Sequence, residues 1–140
     1  MRPLLPSLLL VSACSLGPRV KSFPPARHAQ GIMAEVRRGR DGFPGELLAV
    51  TDTALLMVNA LSAHVILVPY GATTMVRFLN LETVTVSGGR TPEPAVRERL
   101  RLWSRYPTGV SADLLSRLLA AYGQSALDVF SPPPCARRGC

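Results

Sequence analysis

The chain has 140 residues, a formal net charge of +7 and a mean hydropathy of +0.21, with 47% hydrophobic and 18% charged residues. Such apolar content excludes a chain too polar to fold, and the length suits one small domain with tails, since domains commonly run about 100–150 residues. The charge comes from 15 arginines and the single Lys21, scattered with no long basic run. It describes a solvated surface rather than a polyanion-binding stripe, so nucleic acid is not an expected partner.

Met1-Arg2 is a minimal positive start, followed by an apolar run from Pro3 to Val11 that is too short to span a bilayer, which takes roughly 20 residues. The run ends in Val11-Ser12-Ala13-Cys14. These four residues, with the leader behind them, resemble the lipobox of bacterial lipoproteins. The resemblance implies a signal peptide over residues 1–13 and a diacylglycerol on Cys14, which becomes the first residue of the mature protein. The partner it implies is a membrane, the cell membrane or the outer membrane, with the chain facing the periplasm or exterior. Each buried methylene of an acyl chain contributes about 0.8 kcal/mol, and two chains make a stable anchor. Two alternatives share these residues: simple secretion with cleavage after Ala13, or a cytosolic chain starting at Met33.

With Cys14 assigned, Cys135 and Cys140 remain as an even pair, a candidate disulfide whose short loop would stabilise little. The two histidines, His28 and His64, are isolated, so neither a metal site nor any other cofactor is expected.

Residues 14–30 contain Pro18, Pro24 and Pro25 and no apolar period, which predicts a lipidated N-terminus and flexible tether. Over residues 31–89, short apolar runs alternate with turn residues. Ile32 to Arg37 is followed by a predicted turn over Gly39 to Gly45. Glu46–Val50 and Ala54–Asn59 are separated by Thr51-Asp52-Thr53, and Val65–Val68, Met75–Leu79 and Thr83–Val86 follow. Leu47–Val50 and Leu55–Val58 are unbroken runs, as expected of strands buried on both faces. Strands this close predict an antiparallel meander that removes its edges as a small β-barrel or strongly curved sheet. Gly39, Phe43, Gly45 and Leu47, then Asp52 before an apolar strand, resemble the first half of Sm-like and SH3-like small barrels, over about a third of the chain. The resemblance implies a fold only. Thr53 follows Asp52 where the RNA-binding turn has asparagine, and Val68-Pro69-Tyr70-Gly71 replaces the second RNA-contacting motif.

Over residues 90–130 the period changes to that of helices. Thr91 as N-cap and Pro92 at the first helical position predict a helix burying Val96, Leu100 and Trp103. Ser111 caps a second helix with a stripe of Leu114, Leu115, Leu118, Leu119 and Tyr122, ended by Gly123. Two such helices predict an αα-hairpin and an α+β class overall. The stripe either packs on the sheet, the preferred reading, or is an interaction surface for a protein partner or a second copy. Ala126–Phe130 is expected to add a last turn or edge strand, and residues 131–140 form a disordered Pro/Arg/Cys tail.

No catalytic set emerges. The nine acids are dispersed, Ser87-Gly88-Gly89 lacks the glycine that precedes a nucleophile-elbow serine, and Gly39–Gly45 lacks a phosphate-loop lysine. His64 is the one candidate base. The expectation is a small membrane-anchored envelope protein acting as a binding or structural module and not as an enzyme; a cytosolic Sm-like nucleic-acid module is the alternative.

Overall fold

A computed structural model describes residues 30–72, 75–79, 85–87 and 90–131. The strands are β1 (Met33–Arg38), β2 (Asp41–Val50), β3 (Ala54–Asn59), β4 (His64–Pro69), β5 (Met75–Phe78), β6 (Thr85–Ser87) and β7 (Asp128–Val129). Helices α1 (Pro94–Trp103) and α2 (Ala112–Ala121) lie between β6 and β7 in the chain. The class is α+β. One sheet takes all seven strands in the order β6-β5-β1-β2-β3-β4-β7, antiparallel except where β7 runs parallel to β4. The expected closed barrel is not what forms, because the ladder is open, with β6 and β7 as its edges.

Both faces of the central strands are buried, as the unbroken runs predict. Leu55 and Met57 belong to one core with Ala34, Val36, Phe43, Val68, Val76, Phe78 and Leu100. Leu56 and Val58 point the other way, into a second core with Val65, Tyr106, Leu114 and Leu118. Strand alternation alone sends odd and even positions of β3 to opposite cores.

In β2 the alternation breaks. Leu47 pairs with Met57 and Ala49 with Leu56, so Leu48 is an extra residue, a β-bulge. Leu47 and Val50 lie in the first core, whereas Leu48 and Ala49 both enter the second. A bulge re-aims side chains in this way, and it leaves β2 carbonyls available to something other than β3.

Four expectations need correction. The turn predicted over Gly39–Gly45 is only Gly39–Arg40, because Arg38 pairs with Asp41 and β2 starts there. The later glycines serve close approach. A Cβ on Gly42 would stand 2.4 Å from the Val36 carbonyl oxygen, and one on Gly45 would stand 2.7 Å from that of Val58.

Helix α1 begins at Pro94 with Glu93 as N-cap, not at Pro92 with Thr91. A residue before proline is driven out of the helical region, and Glu93 accordingly has ψ 150.

Of the stripe expected on α1, Leu100 is fully buried and Val96 half-buried, but Trp103 is exposed. The helix stops at Trp103, and Arg105 and Tyr106 take over the contact with β2.

Finally, the helices do not pair as a hairpin with one shared stripe. Leu100 of α1 enters the first core, whereas Leu114 and Leu118 of α2 enter the second. On α2 the expected cap is present, with the Leu114 N–H donating to Ser111 Oγ at 3.2 Å.

Candidate functional site

The bulge in β2 is where the chain's entry, α1 and α2 converge. Past Trp103, the Arg105 N–H donates to the Leu47 carbonyl at 3.2 Å and the Tyr106 N–H to the Leu48 carbonyl at 2.8 Å. From the other end of the chain, the Ile32 N–H donates to the Trp103 carbonyl at 3.1 Å, and the Ile32 carbonyl accepts from Leu47 at 2.8 Å. Gly31 fits because it has no side chain, since a Cβ there would stand 1.9 Å from the Leu47 oxygen.

One carboxylate completes this junction. Glu46 Oε1 accepts from the Gly31 N–H at 2.7 Å and from Arg105 Nε at 2.8 Å, and Arg105 Nη2 lies 2.7 Å away. Both side chains are nearly enclosed, at 13% and 6% exposure. Burial pushes the Glu46 carboxyl above its usual value of 4.5, while the Gly31 N–H and the Arg105 guanidinium pull against it. All three donors are already committed to that oxygen, so the group acts as a clasp rather than as an acid or base toward a ligand.

A second ionic group faces solvent. Arg97 and Arg101, one helical turn apart on α1, converge on Asp52 Oδ1 of the β2–β3 turn at 2.7 and 3.2 Å. Beneath them, the Tyr70 hydroxyl donates to the Thr51 carbonyl at 2.9 Å. Burial pushes that phenol up to about 12, against the pull of the two arginines. Asp52 is 79% exposed, so this pair latches the turn to α1 without enclosing a site.

His64 Nδ1 lies 2.8 Å from Asp128 Oδ2, and both side chains are about half exposed. The contact joins the ends of β4 and β7. Ser104, the one buried serine among the described residues, donates its hydroxyl to the Arg101 carbonyl at 2.7 Å. Thus the candidate base and the buried hydroxyl are each engaged elsewhere. Among the described residues no group of three or more His, Cys, Asp or Glu side chains is placed to hold a metal ion, and no helix is long and apolar enough to cross a membrane. An open hollow of about 450 Å³ is lined by Glu35, Arg37, Gly39, Arg40, Asp41 and Gly42 at the β1–β2 turn.

Cys14, Cys135 and Cys140 lie outside the described residues. Of the α2 stripe, Leu114 and Leu118 are buried against the sheet, and Leu115, Leu119 and Tyr122 pack half-buried on the same core. The stripe is therefore occupied within the chain. Sequence reasoning passed over Glu46 and Arg105, which are 59 residues apart. Their one signal was an acid between a glycine-rich stretch and an apolar run. It also passed over the exposure of Leu102 and Trp103. Comparison of the chain with protein-family models, curated proteins and solved structures gives no match.

Proposed function

We propose that this chain is a lipid-anchored envelope protein, held by a diacylglycerol on Cys14 and carrying residues 31–130 at the membrane surface as a binding or structural module. The observation that carries the reading is the sequence Leu8-Leu9-Leu10-Val11-Ser12-Ala13-Cys14 behind Met1-Arg2. The two ionic groups support a non-catalytic role, because their charges are spent on joining elements of the fold. Five of the ten arginines among the described residues, Arg37, Arg97, Arg101, Arg105 and Arg117, each face a carboxylate, so half of them are tied to acids of the same chain.

We also infer that the sheet curls toward a small barrel. β1 pairs with β2 on one side and with β5 on the other, so the meander returns to its first strand. Val36, Leu55, Met57, Val68 and Val76 are fully buried in a core to which the helices contribute one fully buried side chain, Leu100. A flat sheet of this width would need a larger cover.

Growth with a radioactive fatty acid tests the anchor. The wild type is expected to take up label and Cys14→Ala to take up none. Label on neither protein would refute the proposal.

A further inference from the structure

Resting on the anchored reading, we infer that the corner where the chain enters the domain docks on the lipid bilayer, so that the domain lies on the membrane in one orientation. Five large apolar side chains are exposed among the described residues, and three of them, Leu79, Leu102 and Trp103, belong to segments that border this entry. Trp103 and Leu102 are half exposed, and the Trp103 carbonyl accepts from the Ile32 N–H. Leu79 is 42% exposed, and its N–H donates to the Met33 carbonyl at 2.8 Å. Successive residues of an extended chain direct their backbone groups to opposite sides. The backbones of Trp103 and Leu79 therefore flank the entry on its two sides, and these two residues with Leu102 are the exposed apolar collar of the entry.

The place of this collar selects its occupant. The chain preceding Gly31 leads back to Cys14, and residues 15–30 reach at most roughly 55 Å even when fully extended. A domain tied to a bilayer at that range meets it at a high effective concentration, so modest affinity is enough to keep it docked. Tryptophan and leucine are the side chains suited to such contact, the indole because it settles at the level of the headgroups. Arg99, three and four residues before Leu102 and Trp103, shares their helix surface and has no ion-pair partner among the described residues. A cation there favours anionic headgroups. Glu98, the nearest acid on the helix, is engaged by Arg101 at 3.4 Å. A bilayer meets the collar without needing a matching shape, and the tether already holds one within reach.

Trp103 is the one tryptophan of the chain, so its fluorescence reports this corner directly. The full-length product, purified from membranes and reconstituted in vesicles of phosphatidylcholine and phosphatidylglycerol, is compared with the same protein in vesicles whose acyl chains carry bromine near the carbonyls. Emission is expected to fall roughly twofold in the brominated vesicles, and Leu79→Ser with Leu102→Ser is expected to weaken the quenching. Equal emission in both vesicles, from protein whose mass includes the acyl groups, would overturn the docking and leave the anchor standing. A blue-shifted but unquenched emission would mean that a second copy covers Trp103, and would also overturn it. Protein whose mass lacks acyl groups would refute the anchor, and the docking with it.

Discussion

The two faces of the sheet are closed by different means. The first core is built almost wholly by strands, with Leu100 its one fully buried helical residue, whereas the second is sealed by α2 through Leu114 and Leu118. What joins the faces is the bulge at Leu48, where the segment after Trp103 crosses from one to the other and the Glu46–Arg105 pair clasps it. β1 pairs with β2 only as far as Glu46, so the β2 residues beyond it present an open edge to this segment.

The comparison breaks most completely at Leu118, which is fully buried. Leu118→Asp places an unpaired carboxylate in the second core, and no cooperative thermal transition should remain by circular dichroism. An unchanged melting temperature would show that α2 does not seal that face.

Next comes the clasp. Glu46→Ala leaves the Arg105 guanidinium and the Gly31 N–H buried without their acceptor and should cost about 3–5 kcal/mol in urea unfolding near neutral pH. The pair also has a pH signature. The folded state holds the Glu46 proton more tightly than the unfolded state, so this group's contribution is full below its usual value of 4.5 and is lost as pH rises through the higher folded value. Wild-type stability should show that decline on its way from pH 4.5 upward, and Glu46→Gln should lack it.

A smaller effect is expected at the start of α2. Ser111→Ala removes the acceptor for the Leu114 N–H and should cost about 1 kcal/mol, seen as a lower urea midpoint at unchanged slope. The exposed latch should matter least. Asp52→Asn should change stability by less than about 1 kcal/mol, and salt should reduce even that. A loss as large as that of Glu46→Ala would mean that the latch, and not the clasp, fixes α1.

These contrasts bear on what could be read in advance. The two-faced burial of β3 was legible because Leu55–Val58 is an unbroken apolar run, and the cap at Ser111 because a hydroxyl before a helix has a local role. The bulge was not, since an extra residue in a strand is defined only against its partner. Gly42 and Gly45 carried the signal of a turn, yet they are glycines because carbonyls from neighbouring strands press against them. Pro92 and Pro94 each suited a helix start, and only the second is one. The clasp depends on residues 59 apart, which no local pattern connects. Trp103 fell on the right helical face but at the helix's last residue, beyond which the chain turns to β2. The proposed anchor at Cys14 rests on residues 1–14 alone and draws on no tertiary contact.

The intact mass of the mature protein tests that anchor most directly. The account predicts a chain that begins at Cys14, lacks residues 1–13 and carries the added mass of diacylglycerol, with none of that mass on Cys14→Ala. An unmodified chain retaining Met1, or one beginning at Met33, would contradict it.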